Sequence, residues 1–284
     1  MLEQYKSQIE RLIDLAIEED IGDGDHSALS SIPADAIGKA KLLVKDEGIL
    51  AGVELALFIF NKIDNQLKVE VLLNDGATVK HGDIAFYVTG SERSILQAER
   101  LVLNFMQRMS GIATTTNRLV KLIEGTNCKL LDTRKTTPGL RIIEKWAVKI
   151  GGGHNHRVGL YDMIMLKDNH VDYCGGIEKA IDAANKYLTD TGKKLAVEVE
   201  TRNISDVERV IAHGGVQRIM IDNFSVEDAH KAVSLINHMV EVEASGGITE
   251  ATLRQYAETG VDFISVGALT HSVKSLDLSL KAAV

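Results

Sequence analysis

Cysteine is almost missing from this chain of 284 residues. Cys128 and Cys174 stand alone, far from any CxxC or Cys–His spacing. That excludes a disulfide-built scaffold and a structural zinc site, and it fits a reducing compartment. An excess of positive charge is lacking too: 32 Lys+Arg face 40 Asp+Glu, a net charge of −8. Nucleic-acid affinity comes largely from neutralised phosphates, so no nucleic-acid partner is expected. The most apolar stretch, Ile49 to Phe60, is interrupted by Glu54 and falls short of the roughly 20 residues that cross a bilayer. The opening MLEQYKSQIERLIDLAIEED is charged throughout and lacks a signal peptide's apolar centre. A soluble, cytoplasmic protein with no membrane partner is expected. With 45% hydrophobic and 25% charged residues, the chain suits one large domain or two ordinary ones.

Tyr5, Ile9, Leu12, Ile13, Ala16 and Ile17 recur at helical spacing and predict an amphipathic helix that stops at Gly22. The polar stretch from Asp20 to His26 reads as a loop. Between Lys39 and Gly90 the pattern is mixed, with short strands at 42–44, 67–73 and 84–89, a helix over Val53–Ile63 and a turn at 74–76. Two helices are predicted next, Ser91 to Met109 and Ile112 to Glu124, with a break at Ser110-Gly111.

Beyond residue 125 six apolar runs end on polar or glycine residues: 129–133, 163–167, 196–200, 219–222, 240–245 and 263–267. Helical patterns separate them, and their ends lie 34, 33, 22, 23 and 22 residues apart. Such alternation predicts βα units around a parallel sheet. No GxGxxG or Walker loop follows any strand, and polar chemistry stands at every strand end instead of one crevice. Both features favour a (β/α) barrel over an open doubly wound sheet. The expected layout is a mixed α/β N-terminal domain over 1–112 and a barrel over 113–284, with the last helix a candidate to return to the N-terminal domain.

The strand ends carry a consistent chemistry. Arg134 and Lys135 follow the first strand and offer a bidentate clamp and a point charge for anions. Gly151-Gly-Gly-His-Asn-His-Arg157 adds an anion-binding loop; a metal on His154 and His156 is a weak alternative for want of a third ligand. Lys167 closes the second strand and suits either a phosphate contact or a Schiff base. Glu198 and Glu200 share one strand face, the barrel interior, and Asp222 ends the next strand. Their partners are expected to be nearby cations or a divalent metal, with Mg²⁺ the natural choice beside phosphates. Ser245-Gly-Gly247 and Val266-Gly-Ala268 end the last two strands as backbone phosphate cups. A phosphorylated, multiply anionic substrate is predicted. Residues 131–170 alone hold seven Lys+Arg against four Asp+Glu, a cationic balance that the net charge hides.

Several of these blocks are long enough to carry a resemblance. Asp132-Thr-Arg-Lys-Thr-Thr-Pro-Gly-Leu-Arg141, Gly151-Gly-Gly-His-Asn-His-Arg157, Leu166-Lys-Asp-Asn-His170, Ser245-Gly-Gly-Ile248 and Val266-Gly-Ala-Leu-Thr-His271 resemble the quinolinate phosphoribosyltransferase family over almost the whole chain. The resemblance implies an incomplete α/β barrel of the type II phosphoribosyltransferases. It also implies a homodimer or higher oligomer, a hexamer included, in which the N-terminal domain of one subunit faces the barrel of another. The implied reaction joins quinolinate to phosphoribosyl pyrophosphate with Mg²⁺, releasing pyrophosphate and carbon dioxide and giving nicotinate mononucleotide for NAD synthesis. By the same resemblance Thr133, Arg134, His156 and Arg157 would hold quinolinate, helped by Arg100 of the neighbouring subunit. Lys135 and Lys167 would contact phosphoribosyl pyrophosphate, and Glu200 and Asp222 the metal and ribose, with Glu198 the alternative to Glu200. Ser245, Gly246, Gly247, Val266, Gly267, Ala268 and His271 would cradle the 5′-phosphate. A same-fold paralogue acting on a different small anion is the remaining reading.

Overall fold

Val197 and Val199 are buried on either side of Glu198, and the neighbouring strands bury Met165, Leu166, Ile219, Met220 and Ile221. In the computed structural model, which describes residues 1–283, these segments form a six-stranded parallel sheet. Its order is Lys129–Leu131, Phe263–Ser265, Glu241–Ser245, Arg218–Asp222, Val197–Thr201, Ile164–Leu166. The first strand pairs with the last, and each later strand pairs with its neighbour in sequence. An open doubly wound sheet does not close in this way. The one sequential pair not hydrogen-bonded is Lys129–Leu131 with Ile164–Leu166. On that side of the first strand an isolated parallel bridge joins Leu131 to His154. The barrel is therefore incomplete at a single seam, as expected.

Helices return the chain between strands, and their ends are set by local side chains. Asn203 accepts from the Asp206 amide at 3.0 Å to start Ile204–His213. Ser225 accepts from the Asp228 amide at 3.1 Å to start Val226–Ile236. The short helix Asp168–Cys174 begins directly after Lys167, whose amide donates to Nδ1 of His170 at 3.0 Å.

A second sheet is antiparallel, ordered Leu278–Ala282, Ile37–Val44, Ile84–Ser91, Lys68–Val71. Ala40, Leu42 and Val44 are buried at every second position, as a one-sided sheet requires. The predicted helix Val53–Ile63 is present with those bounds. The element returning to this unit from the C-terminal end is a strand, however, not a helix. Leu276, Leu278 and Leu280 alternate with polar residues and are buried.

The break predicted at Ser110-Gly111 does not occur: Glu92–Leu122 is one continuous helix. Ser110 is fully buried and its hydroxyl closes a pair of bonds with Ala51, accepting from the amide at 2.9 Å and donating to the carbonyl at 3.1 Å. A Cβ on Gly111 would collide with the carbonyl of Lys274. The glycine therefore serves a close backbone approach and does not end the helix. The predicted polar loop is also shorter than expected: Lys6–Ile21 is helical, and His26–Ser31 starts a second helix capped by Asp25.

The chain divides into two compact units. One comprises Met1–Asn117, Thr136–Gly152 and the residues from Leu269 onward; the other comprises Arg118–Lys135 and Gly153–Ala268. The first thus contains the helix Arg141–Ile150 as well as the N-terminal residues, and the second contains the whole barrel sheet.

Candidate active site

The first barrel strand buries Leu130 and Leu131 and then delivers Asp132, fully buried, at its end. Asp132 accepts from the His156 amide at 2.9 Å and from the Asn155 side chain at 2.7 Å. One carboxylate therefore pins the loop that carries Arg157 against the strand that leads to Arg134. Arg134 and Lys135 are exposed just beyond, and the half-buried Thr133 accepts from the Lys135 amide at 3.0 Å. Arg157 is half-buried and donates to the Met163 carbonyl at 3.3 Å. Burial, and after it the nearby charge of Arg134, lowers the Arg157 pKa. Two guanidinium groups close enough to repel one another have a chemistry suited to a shared anion.

Lys167 leaves the second strand with its ammonium 2.8 Å from Oε2 of Glu200, on the adjacent strand. Asp222 ends the strand beyond. Burial and then the Glu200 charge push its carboxyl above the ordinary range, against the opposing effects of Lys167, Ser245 and Asn223. Asn223 sits at φ 58° and donates from its side chain to Asp222 at 2.6 Å and from its amide to the Ser245 carbonyl at 2.9 Å. Gly246, at φ 88°, lies so close that a Cβ would strike Asn223. Asp222 and the Ser245–Gly247 turn are thus locked together. Val266 donates to the Leu131 carbonyl at 3.0 Å, which sets the Val266, Gly267, Ala268 turn beside the first strand. Lys167 is one cation set against two carboxylates, and the hard oxygen donors of Glu200 and Asp222 are of the kind that would suit Mg²⁺.

The barrel unit accordingly brings Thr133, Arg134, Lys135, Arg157, Lys167, Glu200, Asp222, Ser245, Gly246, Gly247, Val266, Gly267 and Ala268 to the C-terminal ends of its strands. Arg100 and His271 belong to the other unit, where both are exposed, on Glu92–Leu122 and at the end of Ala268–His271. Within that unit the fully buried Glu144 accepts from the Thr137 amide and hydroxyl and from Arg108, which also donates to the Thr270 carbonyl. The loop after Lys135 and the turn before His271 share this anchor.

His156 is placed differently from a simple substrate contact. Its ring is almost fully buried, with Nε2 3.1 Å from Glu198 and 3.2 Å from Glu243 and with Nδ1 accepting from the Arg157 amide at 2.7 Å. Burial alone would lower the ring's pKa, but the two carboxylates outweigh it and hold it up to about 9. Burial and the Glu243 charge raise Glu198 in turn. The cluster therefore retains a proton at neutral pH as a unit. With the Arg157 amide aimed at Nδ1, Nε2 and the Glu198 carboxyl are where protons reside.

Among the described residues this is the one group of three His, Cys, Asp or Glu side chains whose ligand atoms lie within 4.8 Å of one another. Arg218, 3.0 Å from Glu243, already supplies a cation there, so the group is an ion-paired network and not a metal cage. His154 is exposed and stands outside it. Sequence reasoning missed Glu243 and Arg218. The signal was present, since Glu241-Val-Glu243 repeats the alternation of Glu198-Val-Glu200.

Comparison with known proteins agrees with this geometry. The family model described as quinolinate phosphoribosyl transferase, C-terminal domain, matches residues 112–281, and its N-terminal counterpart matches residues 25–110. Quinolinate phosphoribosyltransferase [decarboxylating] 1b of Nicotiana tabacum is 47% identical over 95% of this chain and 81% of its own. A probable nicotinate-nucleotide pyrophosphorylase [carboxylating] of Bacillus subtilis is 40% identical over 96% of this chain and 93% of its own. The solved nicotinate-nucleotide pyrophosphorylase of Francisella tularensis superposes with a TM-score of 0.89 at 41% identity, covering 98% of this chain and 96% of that one. The chain belongs to the quinolinate phosphoribosyltransferase family.

Proposed function

We infer that the chain transfers the phosphoribosyl group of phosphoribosyl pyrophosphate to the nitrogen of quinolinate and decarboxylates the product to nicotinate mononucleotide, a step of NAD biosynthesis. The observation that carries this reading is the juxtaposition at one barrel end of two mutually repelling guanidinium groups, Arg134 and Arg157, with the Lys167–Glu200–Asp222 cluster. A dicarboxylate suits the first group, and a polyphosphorylated sugar suits the second.

Transfer at the anomeric carbon passes through an oxocarbenium-like state, so positioning and charge stabilisation do most of the work. Arg134, Arg157 and Thr133 hold quinolinate, with His156 in the same loop. Lys135 and Lys167 face the pyrophosphate and stabilise the negative charge that develops as it departs. Glu200 and Asp222 offset positive charge on the ribose and are the residues that would hold Mg²⁺, which when bound neutralises pyrophosphate oxygens. The turns at 245–247 and 266–268 offer backbone amides to the 5′-phosphate. The pyridinium nitrogen formed by transfer accepts the electron pair released as the 2-carboxylate leaves. No further cofactor is needed for that step.

Arg100 completes the quinolinate site from a neighbouring subunit in our reading, which makes the enzyme a homodimer or a larger assembly of dimers. Mixing Arg100→Ala with Lys167→Ala subunits should then restore activity in heterodimers. No recovery would place Arg100 outside the neighbour's site. We place the enzyme in the cytoplasm, in keeping with its two free thiols and with the lack of any helix, among the described residues, long and apolar enough to cross a membrane. The deciding assay is formation of nicotinate mononucleotide from quinolinate, phosphoribosyl pyrophosphate and Mg²⁺. Equal use of nicotinate, or no product from quinolinate, would refute the reading.

A further inference from the structure

Beneath the strand ends lies a charged layer that the transfer chemistry leaves unused. Glu198 and Glu243 are completely buried on strands separated by Arg218–Asp222. Arg218 crosses from that strand to pair with Glu243 at 3.0 Å and Glu241 at 2.9 Å, and its guanidinium stacks 4.1 Å from the Phe263 ring. Barrel interiors are ordinarily filled by branched apolar residues. Ionic groups in such a place repay their desolvation poorly, and apolar replacements of similar volume are often no less stable. Stability is therefore a weak explanation for this layer.

What the layer grips is the loop before Arg157. Nε2 of His156 lies between the two carboxylates, and Nδ1 accepts from the Arg157 amide. Asp132 fixes the same turn from the other side through the His156 amide and the Asn155 side chain. Both ring nitrogens are thus engaged by the protein, and the ring is almost fully buried. The side chain that emerges from this grip is Arg157.

We propose that Glu198 and Glu243 are positioning residues that fix the His156 ring and, through its Nδ1, the backbone of Arg157, so that Arg157 and not the imidazole touches quinolinate. The inference rests on Arg157 being a quinolinate contact, and it replaces the expectation that His156 is one. Glu198 and Glu243 act at second hand, by setting where one guanidinium stands.

The test uses the full chain and separate titrations of the two substrates. Glu198→Met keeps the volume and leaves the Arg218–Glu243 pair intact, but removes an acceptor from Nε2. It should raise the KM for quinolinate about tenfold, the equivalent of one lost buried hydrogen bond, with the KM for phosphoribosyl pyrophosphate changing less than about twofold. Glu198→Gln still presents an oxygen to Nε2 and should restore most of the quinolinate KM. Equal changes in both KM values, or an unchanged quinolinate KM in folded protein, overturns the proposal.

Should Glu198→Met fail to fold, ¹⁵N-histidine spectra of the unaltered protein decide. His156 should be the Nε2–H tautomer and should keep its ring-nitrogen shifts when quinolinate binds. An Nδ1–H ring, or a shift change reporting a direct contact, overturns it. Unaltered protein that makes no nicotinate mononucleotide would instead refute the assigned reaction, an outcome these spectra do not mimic.

Discussion

The Lys167 ammonium lies 2.8 Å from the Glu200 carboxylate, across two strands paired at Leu166 and Val199. The pair holds one cation of the site over the barrel mouth next to Asp222, whose carboxyl responds to both charges. In our reading a lysine paired with a carboxylate in this way stabilises charge and does not act as a nucleophile. Lys167→Ala should lower kcat/KM by at least about 100-fold, the scale for removing a group that stabilises transition-state charge. Borohydride added with either substrate should trap no adduct. A reduced covalent adduct at Lys167 would require the Schiff-base chemistry instead.

Lys167 balances one of the two carboxylate charges of Glu200 and Asp222, and in our reading a bound Mg²⁺ would balance the other. Chelation of divalent ions should therefore abolish turnover, and Mg²⁺ should restore it. Asp222→Asn should raise the Mg²⁺ concentration for half-maximal rate about tenfold or more, through loss of one charged oxygen ligand, while quinolinate binding measured by calorimetry stays unchanged. An unchanged Mg²⁺ requirement would count against the pair as the metal's seat.

The protonated His156 cluster makes stability depend on pH with a definite sign. The His156–Glu198–Glu243 cluster, with Nδ1 left as the acceptor of the Arg157 amide, holds its shared proton up to about pH 9 when folded, against 6.5 for a free imidazole, and so binds that proton more tightly in the native state. The resulting stabilisation is complete below about pH 6.5 and is lost as pH climbs through about 9. The full amount is on the order of 3 kcal/mol at most, from about 1.4 kcal/mol per pH unit. Denaturant titrations at pH 6, 8 and 9.5 should show the decline. His156→Gln should flatten it; a slope unaltered in that variant would assign the decline to other groups.

Gly111 reverses a familiar rule. In a helix interior, Gly→Ala ordinarily stabilises by about 1 kcal/mol. Here the new methyl meets the Lys274 carbonyl and the Ser275 Cα, both backbone atoms with little room to give. Gly111→Ala should cost about 1–3 kcal/mol, as overpacking does, measured by chemical unfolding. A more stable variant would show that the 274–275 segment moves aside freely.

Periodicity makes the barrel legible in the sequence, because each strand carries its own apolar run and its own polar terminus. Val53–Ile63 is readable to the residue for the same local reason. What escaped was set by distant partners. Ser110-Gly111 has the composition of a break, yet Ala51 and Lys274 keep that stretch helical. The strand Leu278–Ala282 alternates plainly, but its partner Ile37–Val44 is more than 230 residues away. At the site, the cations and glycines were visible as types at strand ends. The inward turn of His156 was not, because it depends on Glu198 and Glu243 meeting from separate strands.

That long-range strand pairing also bears on how the chain is made. Residues 37–44 leave the ribosome early, but one edge of their sheet stays bare until residue 282 has been synthesised. An uncovered strand edge invites pairing with other chains. Translation adds only about 5–20 residues per second, so the nascent chain must carry that exposed edge for roughly ten seconds or longer. Chaperone dependence and aggregation during expression should therefore track events at the C-terminal strand more than any change in the barrel that performs the chemistry.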